Sequence, residues 1–423
     1  MATTSGHNDH IIDISKINDD FFQFIEDNCN DNVDKLRLRR YPDATFDTGF
    51  AITQIECRKR VRKKLPELFN NYKFIFPSVL STEQCTSEIV AKYHASVIGN
   101  LGSLLDMTGG LGIDDYYIAS TVDRVVAIER NELTALVGKY NMSALRPNVE
   151  IVAGDSVDYL SKNERNFDAV YVDPARRGSN HNRLYGLADC EPNIIPLLHL
   201  IRSRTNMLYV KASPMLDVTQ VLRELSGITD MWIISLHNEC KELFLKIDFK
   251  LADSMPSVPD GSVANNSGTM IHCVNFVDDD VVQQLDMPYL SHVRMASVSI
   301  AANVLGYLYE PNASIMKANA FAELCGLYGV QKIAVNSHLF TSAELVNDFP
   351  GRVFAVEGVY PFKDKVIKSA LGGERQINVS VRNFKLTAEQ LKKRLKLLDG
   401  GSRYMFGTTN SRGEMIVVVC RRL

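Results

Sequence analysis

The sequence predicts an α/β fold whose main domain is a mostly parallel sheet with an antiparallel hairpin at one edge. Three features of its 423 residues support this prediction. Between residues 86 and 280, short runs rich in β-branched residues alternate with segments of helix length, which is typical of a doubly wound sheet. Residues 1–85 instead show apolar residues at helical spacing. Residues 331–423 mix strand patterns with one amphipathic helix, which predicts a small α+β domain.

A chain of this length exceeds the size of one ordinary hydrophobic core. The sequence patterns divide it into four regions. Residues 1–85 form a helical N-terminal region, and residues 86–280 form the sheet domain. Residues 281–330 are predicted to be a connector or a small subdomain. Residues 331–423 form the C-terminal domain.

The composition is that of a globular protein without membrane spans. Hydrophobic residues make up 45% of the chain and charged residues 23%. No apolar run approaches the roughly 18 residues of a membrane helix, and the polar first residues lack the apolar core of a signal peptide. The eight cysteines are scattered without a C-x-x-C pair, so neither a disulfide framework nor a metal site is predicted. These observations predict a cytoplasmic protein.

Charge is distributed unevenly along the chain. The formal net charge is −3, but residues 375–423 contain eleven Lys and Arg residues against three acids. That segment therefore carries +8 and the rest of the chain −11. Such asymmetry predicts a polyanionic partner, although a merely solvated basic face would look the same.

A predicted helix in this segment carries four basic residues. It begins with TAEQ, which is spaced as a capping box. At about 100° per residue, Lys392 and Lys396 share one face and Lys393 flanks it, whereas Arg394 points away. We therefore predict that Lys392, Lys393 and Lys396 contact phosphate groups.

A second basic cluster lies near the N-terminus. Residues 58–64 read RKRVRKK, the densest run of positive charge in the chain. The run could be a solvated helix face or a contact to nucleic-acid phosphates, and both interpretations stay open.

The first strand of the sheet domain ends in a glycine-rich turn, LLDMTGGLGIDD. Glycine weakens a strand end, so a tight turn or a closely bound ligand must compensate. Asp106 and Thr108 precede Gly110 and Gly112, which departs from the G-x-G-x-x-G pattern of dinucleotide folds. A carboxylate here repels a pyrophosphate and attracts a sulfonium or ammonium group. We therefore predict that these four residues bind S-adenosylmethionine.

Acidic residues also end the second and third predicted strands. Glu129 can accept hydrogen bonds from both hydroxyls of a ribose, but NAD enzymes place an acid similarly, so Glu129 alone is ambiguous. Asp155 can accept a hydrogen bond from an adenine amino group. Either acid could be an ordinary polar strand end. Three acids in order, at the ends of three successive parallel strands, favour a nucleoside-containing cofactor.

The fourth strand ends in YVDPARRG, and here the whole pattern resembles the class I S-adenosylmethionine-dependent methyltransferases. The resemblance covers about residues 86–276 and implies a Rossmann-like core. Asp173 and Pro174 match the (D/N)-P-P-x motif of nucleic-acid methyltransferases, which implies that they are catalytic. The stretch from INVSVRNF to RYMFGTT looks like the THUMP-like domain of a bacterial methyltransferase family. THUMP-type modules are associated with RNA, so this resemblance implies an RNA substrate.

The motif is incomplete in this chain. Its second proline and its aromatic residue are replaced by Ala175 and Arg176. Arg176 and Arg177 are predicted to bind a phosphate or to stack on a base, or else to form salt bridges at a helix edge. Lys211 and Ser213, at the end of the fifth strand, could line the same pocket.

A covalent cysteine mechanism is not expected. A D-P-P-R motif, with arginine in the fourth position as in this chain, is closer to the uracil-C5 methyltransferases. Those enzymes need a cysteine after the fifth strand, where this chain has Ala212. Cys190 and Cys240 are interpreted as structural. Direct transfer to a nitrogen or oxygen remains, with Asp173 orienting or deprotonating the acceptor.

Three hypotheses stay open at this point. The first is a methyltransferase that acts on a nitrogen or oxygen of an RNA base or ribose. The second is a methyltransferase for a small molecule or a protein. The third is a non-catalytic RNA-binding protein that retains the cofactor site, which the departures at Ala175 and Ala212 keep open.

Overall fold

The computed structural model describes residues 12–176, 186–254, 268–278, 281–289 and 298–423. The chain divides into two compact units. The first unit comprises Met1–Lys211 and Lys246–Ser254, and the second comprises Ala212–Leu245 and Met255–Leu423. Among the helices of the described ranges, none is long and apolar enough to cross a membrane.

Helices build the N-terminal part of the first unit, as the sequence predicts. They are α1 (Asp19–Asp27), α2 (Val33–Leu38), α3 (Thr48–Val61), α4 (Pro66–Asn70), α5 (Val79–Gln84) and α6 (Glu88–Ile98). The side chains of Asn18, Asn32 and Asp47 cap α1, α2 and α3 by accepting hydrogen bonds from backbone N–H groups. Apolar residues at helical spacing face inward, and Phe21 and Ile55 lie in one buried cluster.

The basic run at residues 58–64 contributes to this packing. Arg58 is only 3% exposed. Its guanidinium donates hydrogen bonds at 2.8–3.2 Å to the carbonyl oxygens of Phe69, Asn71, Tyr72 and Phe74. Lys64 likewise donates to the carbonyl oxygens of Thr82 and Glu83. Phosphate contact is therefore the wrong interpretation for Arg58, because its charge is buried.

Parallel strands form the sheet of the first unit. After α6 the elements are β1 (Leu101–Asp106), α7 (Ile113–Ile118), β2 (Val122–Glu129), α8 (Glu132–Leu145), β3 (Val149–Ala153), α9 (Ser156–Lys162), β4 (Ala169–Val172), β5 (Ala175–Arg176), β6 (Cys190–Glu191), α10 (Ile194–Arg202) and β7 (Met207–Ala212). The order is β3-β2-β1-β4-β7, with parallel pairing between neighbours. The short strands β5 and β6 pair with each other. The predicted doubly wound core is confirmed.

The predicted hairpin lies mainly in the second unit. The next elements are α11 (Val218–Glu224), β8 (Ile228–Leu236), β9 (Glu239–Asp248), α12 (Phe249–Ser254), β10 (Met270–Phe276) and β11 (Val282–Pro288). The neighbouring strands β8 and β9 are joined by His237 and Asn238, whose φ angles of 52° and 64° suit a two-residue hairpin turn. β10 pairs with β8 in parallel and with β11 antiparallel.

A separate sheet forms the C-terminal part of the second unit. Its elements are β12 (Tyr307–Pro311), α13 (Ala313–Ala318), α14 (Phe321–Tyr328), β13 (Gln331–Lys332), β14 (Phe340–Ser342), β15 (Gly351–Pro361), α15 (Asp364–Ala370), β16 (Asn378–Arg382), α16 (Ala388–Leu395), β17 (Arg403–Thr409) and β18 (Met415–Arg422). The strand order is β13-β14-β12-β15-β18-β17-β16. The predicted capping box of α16 forms between Thr387 and Gln390. An antiparallel hairpin joins β17 to β18.

Two details differ from the sequence analysis. Residues 281–330, interpreted there as a connector or a small subdomain, supply β11 to the pairing with β10 and β12 to the pairing with β14 and β15. Neither VQQLDMP nor YLYEP has much β-branched character, so their strand signal is weak. The placement of Lys396 on the same helix face as Lys392 is wrong. The helix α16 ends at Leu395, and Lys396 terminates it with a left-handed φ of 61°.

Candidate active site

The carboxyl edge of the parallel strands collects the predicted ligand-binding residues of the first unit. Asp106 and Glu129 are the last residues of β1 and β2, and Asp155 follows β3 by two positions. Asp173 directly follows β4, and Lys211 is the penultimate residue of β7. Because parallel strands end at a common edge, residues far apart in the sequence meet there.

The glycine turn after β1 has little room for side chains. The Gly109 N–H donates to the Ile128 carbonyl oxygen at 2.9 Å, which holds the turn against β2. Gly112 has a φ of 77°, and a Cβ atom there would lie 2.7 Å from the Met142 Cε atom. Gly110 also has a positive φ, of 54°. A left-handed backbone in such close contact requires glycine, which explains the unusual composition of this strand end.

Glu129 is fixed by the same turn. Its Oε2 accepts a hydrogen bond from the Gly110 N–H at 2.8 Å, and its Oε1 accepts one from the Asn131 N–H at 2.5 Å. Each carboxylate oxygen can accept a further hydrogen bond. The side chain is half-buried. This geometry suits the predicted contact to a pair of ribose hydroxyls.

Asp155 has a structural role at the start of α9. Its Oδ1 accepts hydrogen bonds from the backbone N–H groups of Val157 and Asp158 at 2.9 and 3.1 Å. The residue is thus the N-cap of the helix. The contact to an adenine amino group stays a prediction, and it would involve the other oxygen of Asp155, Oδ2.

A single hydroxyl group connects the ends of β1 and β4. The buried Asp106 accepts hydrogen bonds at Oδ1 from the Thr108 N–H at 2.7 Å and from the Thr108 hydroxyl at 2.9 Å. The Thr108 oxygen in turn accepts a hydrogen bond from the Asp173 N–H at 2.7 Å. Two predicted cofactor-binding residues are thereby joined to a predicted catalytic residue.

Two buried carboxyl groups lie close to the turn. Burial raises the pKa of Asp106 to about 7, and neighbouring acids add to this rise while the hydrogen bonds from Thr108 oppose it. Asp115, in α7, is fully buried, and burial together with the charge of Asp106 raises its pKa well above the usual range. No group in the described residues donates a hydrogen bond to either Asp115 oxygen. Both carboxyls therefore favour protonation until a cation approaches.

Lys211 is the centre of a polar network that includes Asp173. The Lys211 Nζ lies 2.6 Å from Asp173 Oδ2 and 2.8 Å from Thr86 Oγ1. It also lies 3.6 Å from Asp114 Oδ2, which accepts a hydrogen bond from the Thr86 hydroxyl at 2.6 Å. His94 Nδ1 lies 2.9 Å from the other oxygen of Asp114. We call these five residues the Lys211 network.

The charges of the Lys211 network compensate one another in a nearly dry environment. The side chains of Lys211 and Asp114 are 13% and 12% exposed. Burial alone would raise the pKa of Asp114, but the Lys211 charge and the hydrogen bond to His94 hold it well below its usual range. Asp114 is therefore a carboxylate that stabilises the ammonium of Lys211. Asp173 is the most open of the charged members, with 40% of its side chain exposed.

Sequence reasoning missed three members of the network. Thr86 and His94 precede the first strand, so the strand-end pattern cannot reveal them. Thr86 contacts Lys211 across 125 positions of the chain. Asp114 gave one usable signal, because it follows the glycine turn directly in the first turn of α7.

The other predicted residues near β4 are placed only in part. Pro174 is buried next to Asp173. Arg176 lies in β5, where its backbone pairs with Cys190. Arg177 lies outside the described residues.

The predicted phosphate contacts on the C-terminal domain differ from one another. The Lys392 Nζ pairs with Glu389 Oε1 at 2.5 Å and with Asp399 Oδ2 at 2.7 Å. Lys393 and Lys396 are exposed. Unlike Lys392, these two form no ion pair with any residue that the structure describes.

The cysteines of the chain are free thiols. Burial raises the pKa of Cys240 to about 11, so its sulfur is protonated at neutral pH and is a poor nucleophile. In the described ranges, no group of His, Cys, Asp and Glu side chains is arranged to hold a metal ion.

Two family models match the C-terminal part of the chain. Residues 307–350 match a ferredoxin-like domain, and residues 351–422 match a THUMP domain-like family. Together they span the C-terminal sheet from β12 to β18. The predicted resemblance to a THUMP-like domain is confirmed.

Curated relatives match parts of the chain. The chain is 28% identical over 170 residues to an uncharacterized S-adenosylmethionine-dependent methyltransferase of Mycobacterium tuberculosis, covering 39% of this chain and 45% of the relative. It is 28% identical over 129 residues to an uncharacterized RNA methyltransferase of Mycoplasma mobile, covering 30% and 36%. It is 32% identical over 79 residues to ribosomal RNA small subunit methyltransferase J of Coxiella burnetii, covering 17% and 31%. The chain thus spans less than half the length of each relative.

One solved structure matches nearly the whole chain. It is the crystal structure of a protein from Porphyromonas gingivalis W83 that is provisionally described as a methyltransferase. The TM-score is 0.83 at 29% identity, over 95% of this chain and 97% of the other. By sequence and fold, the chain is similar to S-adenosylmethionine-dependent methyltransferases, and its residues 351–422 match a THUMP domain-like family.

Proposed function

We propose that this chain transfers a methyl group from S-adenosylmethionine to a nitrogen or oxygen of an RNA base or ribose, without a covalent cysteine intermediate. The observation that carries the proposal is the Asp173 carboxylate, which Lys211 holds at 2.6 Å and Thr108 connects to the glycine turn. The RNA methyltransferases among the relatives and the THUMP-like domain support RNA as the substrate.

The strand-end residues fit the cofactor. Glu129 can accept hydrogen bonds from ribose hydroxyls, and Asp155 can accept one from the adenine amino group. The buried Asp106 carboxyl suits a cationic group, because ionisation of a buried acid needs a nearby positive charge. Gly110 and Gly112 hold a left-handed backbone that favours glycine, and this turn is the proposed contact to the cofactor. The bound cofactor supplies an electrophilic methyl group.

Asp173 orients the acceptor. Its carboxylate accepts a hydrogen bond from the acceptor N–H or O–H, which aims the lone pair and provides a base for the released proton. Lys211 restrains the carboxylate, and Asp114 restrains Lys211. The Pro174 carbonyl oxygen accepts a second hydrogen bond where the acceptor is an amino group. Arg176 and Arg177 remain proposed contacts to a base or phosphate.

No cysteine is needed for this reaction. Ala212 ends β7 at the position where a covalent mechanism requires a thiol. In-line transfer instead depends on position, and positioned acid–base groups contribute about 10²–10⁴-fold in rate.

The THUMP-like domain supplies a basic surface for the RNA backbone. Its exposed lysines lie before and within α15 and at the end of α16. We call this set the lysine face: Lys363, Lys365, Lys368, Lys393 and Lys396. The lysine face leaves out Lys392, one of the predicted phosphate contacts, because Glu389 and Asp399 already neutralise the charge of Lys392.

The two helices that carry the lysine face cover the same side of the sheet. Arg394 Nε donates a hydrogen bond to Asp364 Oδ1 at 2.8 Å, which ties α16 to α15. The Arg394 guanidinium also lies 4.8 Å from the centre of the Phe362 ring. Ile367 of α15 and Leu391 of α16 share one hydrophobic cluster. A group of exposed lysines on neighbouring helices suits a phosphodiester backbone.

The test compares RNA nucleosides by mass spectrometry in cells with and without the gene. We expect one methylated nucleoside to be missing without the gene. Purified protein and labelled cofactor should restore it on RNA from the deletion strain. Asp173→Ala should bind the cofactor normally but lose activity by about 10²-fold or more. Asp123→Ala, which changes an exposed acid in β2, is the matched control.

Two other outcomes would contradict the proposal. Transfer to protein or small molecules but not to RNA would support the second hypothesis of the sequence analysis. Salt-dependent RNA binding without any transfer would support the third.

A further inference from the structure

A cavity in the second unit lies apart from the residues of the Lys211 network. Its volume is about 370 Å³, which is within the range of small-molecule sites. It opens between the start of α11, the end of α13 and the loop after β13. Its lining includes Asp217, Tyr289, Lys317, Asn319, Phe321 and His338.

Two of the lining residues have a left-handed backbone. Asn319 has a φ of 57° and ends α13, where this conformation is ordinary. His338 has a φ of 53° and ends no helix. A left-handed backbone is strained in a residue with a side chain, and such strain concentrates at binding sites. The loop thus places the His338 ring in the cavity wall at an energetic cost.

The imidazole of His338 is held as a flat surface. It stacks on the Phe321 ring with centroids 4.7 Å apart and planes 29° apart. The Lys332 Nζ lies 4.1 Å from the centre of the same Phe321 ring. Lys332 is itself buried and donates a hydrogen bond to the Val335 carbonyl oxygen at 2.6 Å. The three side chains therefore restrain one another.

His338 contributes an aromatic face and no charge. Burial and the charges of Lys332 and Arg382 lower its pKa, so the ring is neutral at neutral pH. Its Nδ1 atom is shielded and has no hydrogen-bond partner among the described residues. A neutral ring against a second aromatic ring is a stacking platform.

The polar lining residues are balanced in charge. Asp217 supplies a carboxylate, whose Oδ1 accepts the capping hydrogen bond of α11 from the Gln220 N–H at 2.9 Å. Lys317 supplies an ammonium group, and Asn319 supplies an exposed amide. One acid and one base leave the lining without net charge, so a ligand must gain affinity from stacking and hydrogen bonds as well as from charge.

We propose that this cavity binds an unstacked nucleobase of the RNA substrate, with His338 as the stacking surface and Lys317 as the contact to the adjoining phosphate. The proposal rests on the proposed function, because it takes RNA as the substrate. Single-stranded bases are recognised by aromatic stacking and by hydrogen bonds along the base edge, and this lining offers both.

The bound base is a recognition nucleotide and not the methyl acceptor. None of the described residues of the Lys211 network lines the cavity. The site therefore selects RNAs that present an unpaired base besides the methylated nucleotide.

The full-length protein and the four ribonucleoside 5′-monophosphates are the probes for this site. Calorimetry gives the affinity, and the NMR signal of the His338 ring reports stacking. His338→Asn removes the ring and tolerates the left-handed backbone, and it should weaken binding at least about fivefold. Lys317→Gln should weaken binding of the monophosphates but not of the nucleosides. The matched controls are His199→Asn and Lys250→Gln, both at exposed positions.

Equal affinities for wild type, His338→Asn and Lys317→Gln would overturn the proposal, with cofactor binding as the check that the variants are folded. A wild-type protein that binds none of the four nucleotides would overturn it as well. The RNA transfer assay distinguishes the two failures. Nucleotide binding through His338 without RNA methylation defeats only the proposed function. RNA methylation with no effect of either variant on nucleotide binding defeats only the cavity.

Discussion

The carboxylate of Glu129 serves the glycine turn and the proposed ribose contact together. Glu129→Gln retains the shape but puts an amide where two backbone N–H groups need acceptors. We expect the dissociation constant for S-adenosylmethionine to rise by about 10- to 150-fold, equivalent to about 1.5–3 kcal/mol. Calorimetry measures this, with Glu132→Gln at an exposed neighbouring position as the control. An unchanged constant would remove Glu129 from the site.

Lys211 couples catalysis to stability. Lys211→Met leaves the buried Asp114 carboxylate without its cation, so the free energy of unfolding should fall by about 3–5 kcal/mol. Adding Asp114→Asn removes that unpaired charge and should restore much of the stability. Turnover should stay low in both variants, because Asp173 has lost its restraint. Urea denaturation and transfer assays test the pair, and full turnover in Lys211→Met would refute the restraining role.

Single residues were predictable where a strand end determined their place. Asp106, Glu129 and Asp173 each follow a buried strand, so the order of the motifs is enough to bring them to one edge. Thr86 and His94 could not be found in this way, because they precede the sheet, Thr86 in the loop before α6 and His94 in α6. Lys392 was predicted to contact phosphate because the sequence does not show its ion pairs. In the structure, Glu389 and Asp399 neutralise its charge.

At the scale of elements, α15 and α16 form the lysine face. Replacing Lys365, Lys393 and Lys396 by Gln should lower the slope of log affinity against log salt for RNA by roughly 2–3, at about 0.7–0.9 for each phosphate contact. Lys392→Gln is the matched control on the same helix and should leave the slope unchanged. Binding is measured across a salt series, with cofactor affinity as the folding check. Superimposable lines for the triple variant and wild type would exclude these helices from the RNA interface.

Elements were predictable where local patterns were strong. The alternation of strands and helix-length segments gave the doubly wound core, and the capping box marked the start of α16. The strands β11 and β12 were missed, because their sequences are polar or interrupted by proline and are stabilised by pairing rather than by propensity. The end of α16 was placed too late, because a lysine adopts the left-handed position that glycine usually takes.

For the whole molecule, the buried acids make stability depend on pH. The pKa values of Asp106 and Asp115 in the folded state lie above those of an unfolded chain. The folded state therefore binds more protons, and the free energy of unfolding of the cofactor-free protein should fall as pH rises from about 4 to 7. Asp114 acts in the opposite direction, but only below about pH 4, where its unfolded form is protonated.

Asp115→Asn separates this effect from other titrations. The amide keeps the shape and cannot ionise, so the loss of stability between pH 5 and pH 8 should shrink by about 1 kcal/mol or more relative to wild type. Urea denaturation at the two pH values measures it. Asp123→Asn, at an exposed position, should behave as wild type does. Identical pH dependence in Asp115→Asn and wild type would show that Asp115 is not protonated in the folded state.

The Thr108 hydroxyl has a further consequence, because it donates to Asp106 and accepts from the Asp173 N–H. A cation bound beside Asp106 favours its carboxylate, and a carboxylate attracts the hydroxyl proton more strongly than a carboxylic acid does. The polarised oxygen then binds the Asp173 N–H more tightly. Cofactor binding beside Asp106 thereby restrains the backbone of Asp173, which is the proposed contact to the methyl acceptor. The two ligands should bind cooperatively, and each should raise the affinity of the other by the same factor.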